Sequence, residues 1–274
     1  MIEPVSLTIK YKIMKKITTI TLILAVLLCS CTHYYYVANV QNVPLFKEKN
    51  ELRLSGAFAE GDESACIEAQ AGYSITDKIG VFADFMSGKG GNVSDNNFGK
   101  GNYLEGAIGY YKPTGKFGVF EIYGGLGGCN QHHEYSGSQY NDITGTYENV
   151  SNGSADLSYL KFFIQPSYGI TFNVLDVALS TRFCNVYYNR IDNKALGNAG
   201  EYNNLYTLAN TNHFNVEPAI TVRGGWKNIK LQFQAEYAGL INSGYQNSFG
   251  EDWHLSLGLN VAFSKRFRQS APKN

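Results

Sequence analysis

Charged side chains are scarce in this sequence. Asp, Glu, Lys and Arg make up 17% of its 274 residues, with 23 bases against 23 acids. No cluster of Lys and Arg marks a nucleic-acid surface. After residue 31 no apolar run approaches the roughly 20 residues that a membrane-crossing helix needs, which excludes a helical membrane bundle. The five cysteines include no paired CxxC, and there is neither a Ser-His-Asp order nor a phosphate-cradling loop. Gly124-Gly125-Leu126-Gly127-Gly128 has no Lys-Ser/Thr after it, and bare backbone under neighbouring side chains explains it better. What is plentiful is Gly (29), Tyr (20) and Phe (16), which suits a strongly curved sheet with aromatic belts at a membrane's two surfaces.

The pattern is clearest from Asp252 to Phe267. Leu255, Leu257, Leu259, Val261 and Phe263 fall on one side of an extended chain, while His254, Ser256, Gly258, Asn260 and Ala262 fall on the other. That is the two-residue period of a strand with one greasy face. The same rhythm predicts ten strands, at 51–59, 65–75, 79–87, 102–112, 116–128, 157–171, 177–190, 213–224, 229–241 and 252–264. Short turns (76–78, 113–115, 172–176, 225–228) alternate with loops at 60–64, 88–101, 129–156, 191–212 and 242–251. The expected fold is therefore all-β: a single antiparallel up-and-down transmembrane β-barrel of ten strands, residues 51–267, followed by a polar tail at 268–274. Pro166 and Pro218 stand in phase within two strands and predict a bulge or bend at each.

Alternation also assigns faces. Leu54, Phe58, Ile67, Leu104, Ile108, Leu126, Leu179 and Leu231 are expected toward lipid. Six acids (Glu68, Asp84, Glu105, Glu121, Glu217, Glu236) and four bases (Arg53, Lys161, Arg182, Arg223) are expected inward as an ion-pair network. An Arg or Lys at mid-depth on the lipid face would cost about 2–4 kcal/mol, so this sorting favours a barrel over a soluble sandwich. Ten strands enclose little space, and a filled or narrow lumen is expected over an open pore. Cys66, Cys129 and Cys184 belong to strands that are not neighbours, so no disulfide is expected.

The N-terminal region carries targeting signals. Met14-Lys15-Lys16 followed by Ile17 to Leu28 has the charge and the short apolar run of a signal peptide, so residues 1–30 are expected to be cleaved, with Met14 the true start. Leu28-Cys29-Ser30-Cys31 resembles the bacterial lipobox, and the resemblance implies that Cys31 becomes the first residue, bearing diacylglycerol on sulfur and an acyl chain on nitrogen. No other cofactor and no metal is expected. Residues 31–50 then read as a lipid-anchored periplasmic tether. Asn42-Val43-Pro44-Leu45-Phe46-Lys47-Glu48-Lys49-Asn50-Glu51-Leu52-Arg53-Leu54-Ser55-Gly56 resembles the segment leading into the first strand of outer-membrane β-barrel lipoproteins of Bacteroidota, a group without an assigned reaction. The resemblance implies a bacterial outer membrane, its lipid, and the barrel-assembly machinery as partners. Phe263 or Phe267 resembles the aromatic that this machinery reads in a last strand. Thr32-His33 lacks the acidic residues of a surface-export signal, which together with the even strand count places the lipid on the periplasmic side.

Three functions remain open. The leading one is a structural or surface-interaction barrel acting through long external loops. The alternative is a narrow channel or a small-solute binding barrel. The third is a hydrolase resembling the omptins, for which Asp84, His132, His133 and His213 are the nearest residues. That match lacks the paired acid and the Asp–His pair, so no enzyme is expected. His132-His133-Glu134 could meet a metal, but neighbours on an extended chain point opposite ways.

Overall fold

Period-2 segments separated by turn formers pair edge to edge, and here the pairing closes on itself. The computed structural model describes residues 34–92, 97–141, 143–194, 205, 208–209, 211–241 and 250–268. The strands are β1 (Leu52–Gly61), β2 (Ser64–Ser74), β3 (Ile79–Asn92), β4 (Asn97–Thr114), β5 (Gly118–Asn141), β6 (Thr146–Thr171), β7 (Leu175–Asn193), β8 (Asn212–Gly225), β9 (Ile229–Tyr237, continued by Gly239–Leu240) and β10 (Trp253–Phe263). Each pairs antiparallel with its sequence neighbours. The ring closes where β1 meets β10, Leu52 facing Phe263 and Gly61 facing His254. A closed ten-stranded barrel leaves no edge. A one-turn helix, α1 (Lys265–Arg268), follows β10, so the barrel stops short of the expected residue 267.

The outer surface is apolar around the whole circumference. Leu104, Ile67, Leu126, Leu179 and Leu257 are each more than 60% exposed, one to a strand. Aromatics bracket this band: Phe117 and Phe172 meet at the turn mouth (ring centroids 4.7 Å apart), and Tyr237 and Trp253 near the loop mouth (5.1 Å). Apolar exposure on this scale, belted by aromatics, is a lipid-facing surface. The chain is a transmembrane β-barrel.

Two long loops of the expected layout are strand instead. The 88–101 region continues the β3–β4 ladder to Asn92 opposite Asn97, and the 129–156 region continues β5–β6 to Asn141 opposite Thr146. Here the outward positions pass from apolar residues to polar ones such as Lys89, Lys100, His132 and Glu134, so the two-residue rhythm that marks a strand fades while its backbone ladder persists. The prolines do not shift the register either. Pro166 leaves the β6–β7 ladder open between Ile164 and Ser167, and Pro218 faces the break between Tyr237 and Gly239, each a donor missing rather than a residue inserted. The register shifts lie elsewhere, at Ser158/Tyr159 and Tyr135/Ser136.

The largest departure concerns the segment before β1. Residues 34–50 do not hang below the barrel as a tether: Tyr35, Tyr36, Ala38–Phe46 are buried inside it. Tyr36 bridges Gly250 at the loop mouth, while Lys49 N–H donates to Asp77 in a turn at the opposite mouth. Ten extended residues span about 33 Å, enough to run the length of a lumen. Leu45 (φ 55°) and Asn50 (φ 62°) occupy the left-handed region where the chain reverses into β1. That conformation is uncommon for leucine, and it is held here by burial of Leu45 with Val43, Val119 and Ala178 and against bare Gly169. The signal segment 1–30, Cys31 and residues 269–274 lie outside the described residues.

Candidate functional site

The site is the lumen and the strand of chain within it. An extended segment away from water must find a partner for each N–H and C=O, and an unmet group costs about 1–3 kcal/mol. Among the described residues no strand ladder runs beside residues 37–46, so barrel side chains take that part. Val40 N–H donates to both oxygens of Glu68 (2.9 and 3.0 Å), and its carbonyl accepts from Gln70 Nε2 (2.7 Å). Gln234 does the work of a neighbouring peptide unit, accepting from Gln41 N–H (2.7 Å) and donating to Gln41 C=O (2.9 Å). Gln165 Nε2 donates to Asn42 C=O (2.8 Å), and Phe46 N–H donates to Glu121 (3.0 Å). At the loop mouth, Tyr35 C=O accepts from Gln131 Nε2 (2.7 Å) and the Tyr188 hydroxyl (2.6 Å). Strand periodicity sets these donors inward at alternate positions, which is why a run such as Gln232, Gln234, Glu236 can line a channel.

The segment's own side chains complete the lumen charges. Arg182, fully buried, donates to Glu105 (3.0 Å), Gln165 (2.9 and 3.1 Å) and Asn39 Oδ1 (2.8 Å). Lys161 Nζ reaches Glu217 (3.4 Å), the Tyr36 hydroxyl (2.8 Å) and Asn39 Oδ1 (3.2 Å). Tyr36 in turn donates to Glu217, and Cys184 Sγ donates to the same carboxylate (3.2 Å). Lys161 also sits over the rings of Tyr36 and Tyr103, and the Arg182 guanidinium over Phe163 (4.6 Å). Asn42 Nδ2 bonds Asp84 (2.6 Å), and Gln41 Nε2 bonds Glu236 (3.1 Å). Phe46 closes the turn end, seated over Gly72 and Gly80, where a Cβ would collide with its ring.

The structure puts all ten expected lumen residues inside, but it does not join them into one ion-pair network. Arg182, Lys161, Glu105 and Glu217 come together. Glu68, Glu121, Asp84 and Glu236 bond the segment instead of a base, because the lumen is filled by a length of chain and not by the barrel's own side chains alone. Arg53 pairs with Glu51 (2.9 Å) and approaches Asp176 (3.8 Å), and Arg223 bonds Gln232 (2.6 Å). Four groups escaped the sequence reading. Asp176, bonded to Lys230 at 2.6 Å, was counted as turn although it stands in phase with Ala178, Ser180 and Arg182. Glu51 and Lys230 sit at strand starts, where faces are hardest to assign. Glu251 accepts from Glu63 N–H (2.8 Å), Ser64 N–H (2.7 Å) and the Ser64 hydroxyl (2.6 Å), tying the β1–β2 turn to the last loop.

The residues weighed for hydrolysis lie on different faces and depths. Asp84 faces Glu105 in mid-ladder and points into the lumen, not at an outer rim. His132 faces outward between Asp156 (2.7 Å) and Glu134 (3.0 Å). His133 is buried against Tyr35, and His213 is buried beside Tyr188. Among the described residues no group of three His, Cys, Asp or Glu side chains could hold a metal ion. Cys66, Cys129 and Cys184 are buried free thiols. Gly125 and Gly127 lie beneath the rings of Phe163 and Tyr103.

No protein-family model matches the chain. No curated protein matches it. Among solved structures it is similar to the KdgM porin (9% identity, 77% of this chain and 99% of that one, TM-score 0.37). It is also similar to the translocator domain of the autotransporter NalP from Neisseria meningitidis (11%, 78% and 86%, 0.43) and to the N-terminal β-barrel domain of Pseudomonas aeruginosa OprF (11%, 78% and 98%, 0.32). Similarity this distant leaves the architecture to be read from the chain's own ladder. That ladder and its contents define a class: a transmembrane β-barrel occupied from within by its own N-terminal segment.

Proposed function

We propose that this protein is a bacterial outer-membrane lipoprotein whose barrel does not conduct and which acts through the surface it raises above its loop mouth. The observation that carries the reading is the occupied lumen: residues 35–46 fill it, with backbone groups bonded by Glu68, Gln70, Gln131, Gln165 and Gln234. The tall β5–β6 hairpin supports the second half. β5 has 24 residues and β6 has 26, whereas crossing a bilayer takes about 9–11. Much of that hairpin therefore stands in water, a platform for a partner rather than a wall for a pore. Lipidation at Cys31 is supported by Leu28-Cys29-Ser30-Cys31, export by the run from Met14 to Leu28, and membership among Bacteroidota barrels by the likeness of residues 42–56. Insertion by the barrel-assembly machinery is supported by the alternating last strand ending at Phe263. A solute channel is the weaker reading, since it requires the segment to leave.

Planar-bilayer recording of the refolded full chain tests this. A flat trace at moderate voltage is expected. Stable unitary steps from the intact protein would overturn it.

A further inference from the structure

The direction in which the N-terminal segment runs has a consequence for the membrane leaflet it reaches. β1 starts at the turn mouth, as an even number of strands requires, and the sequence reading placed everything before it on that side. The chain does not stay there. Going backward from Glu51, it turns at Asn50 and Leu45, enters the lumen at Phe46, and reaches the loop mouth at Tyr36, whose backbone bonds Glu251 N–H (3.1 Å) and bridges Gly250. Tyr34 is then in a small cleft at that mouth with Lys89, Gly90 and Lys100 from the β3–β4 hairpin. Buried contacts fix this course along its whole length, from Phe46 among Phe82, Tyr111 and Tyr123 to Tyr35 and Tyr36 among Tyr159, Tyr188 and Leu205.

We infer that the barrel delivers its own N-terminus through the lumen to the loop side, so that the lipid on Cys31 enters the outer leaflet, facing the cell's exterior. The inference rests on the outer-membrane lipoprotein reading above and replaces the periplasmic anchor expected from the sequence. Cys31 precedes Tyr34 by three residues, a reach of about 10 Å. The apolar band of such a barrel is about 25 Å tall, so an acyl chain tethered that closely to the loop mouth cannot return to the other leaflet.

The anchor and the barrel then restrain each other. Lipid at the loop mouth and β1 at the turn mouth hold the segment at both ends, and it can leave neither way without drawing acyl chains or a strand through the lumen. Such a strap keeps Tyr36 and Asn39 beside Lys161 and Arg182 permanently.

Single-cysteine labelling on intact cells with a membrane-impermeant maleimide tests the course. Three positions in the full chain serve: His33→Cys just before the segment, Ile143→Cys at the exposed tip of the β5–β6 hairpin, and Lys78→Cys in a turn at the opposite mouth. The wild-type protein, with its buried thiols, is the blank, and heat-modifiable migration checks that each variant is folded. His33→Cys is expected to label as fully as Ile143→Cys, and Lys78→Cys only after permeabilisation. If Ile143→Cys labels on intact cells but His33→Cys needs permeabilisation, the inference falls and the barrel's orientation stands. If Lys78→Cys labels and Ile143→Cys does not, the outer-membrane orientation falls as well, and the inference with it. Palmitate incorporation that is lost in Cys31→Ala is expected in the same cells, and its absence from the parent protein would overturn the anchor.

Discussion

The lumen holds two sets of buried charges that solve the same problem differently. Near mid-depth, Arg182 and Lys161 share Glu105 and Glu217 with Asn39 and Tyr36, so the arrangement is complete only with the N-terminal segment in place. At the turn end, Arg53, Glu51, Asp176 and Lys230 bond one another, and the segment adds two backbone contacts, Leu45 C=O to Arg53 (3.5 Å) and Lys47 N–H to Glu51 (3.1 Å). A buried charge is tolerable when paired and hydrogen-bonded, and costly when a partner is removed. The turn-end set closes the barrel whatever the lumen contains. The mid-depth set makes the segment part of the fold.

Mutations should separate the two. Arg182→Met takes from Glu105 its basic partner and is expected to cost about 3–5 kcal/mol, read as a lower urea midpoint for the barrel in detergent. Asp176→Asn keeps an amide oxygen for Lys230, which also bonds Phe172 C=O (2.9 Å), and leaves Arg53 its Glu51, so a loss of about 1–3 kcal/mol is expected in the same assay. Equal losses from the two would break the distinction. Asn39→Ala sharpens it: its effect is expected to be non-additive with Arg182→Met by about 0.5–3 kcal/mol and additive with Asp176→Asn. Additivity in both double mutants would mean that the segment is a passenger.

The smallest effect lies outside the lumen. His132, on the β5–β6 hairpin above the membrane, has its pKa raised by hydrogen bonds to Glu134 and Asp156. A histidine raised in the folded state adds stability that is fully present below its unfolded value, about 6.5, and is lost as pH rises through its folded one. Hairpin amides should therefore exchange slightly faster at pH 9 than at pH 6 once intrinsic rates are divided out, and His132→Ala should remove the difference. Insensitivity of the parent hairpin to pH would refute the ion pair.

Much of this was legible in the sequence because a strand repeats every two residues. The positions of Leu54, Ile108 and Leu257 outside and of Arg182, Glu217 and Gln234 inside follow from phase alone. Three things did not follow. Strand length above the membrane was hidden because the outward positions Asn130, His132 and Glu134 are polar, so no greasy face alternates there. The role of Asp176 was hidden by a boundary placed at residue 177. The course of residues 34–46 was hidden because Ala38-Asn39-Val40-Gln41-Asn42-Val43 has no partner strand among the described residues to announce it; the segment's backbone partners are side chains scattered over β2, β5, β6 and β9. Strand parity gives the mouth at which β1 begins, and says nothing of a chain that turns back before it.

Amide hydrogen exchange at Val40, Gln41 and Phe46 in the refolded full-length protein tests the occupied lumen most directly. Their N–H groups bond Glu68, Gln234 and Glu121, so protection matching that of the β1 and β2 ladder amides is expected. Exchange at the rate of an unstructured peptide, in a barrel whose strand amides remain protected, would mean that the segment is not in the lumen.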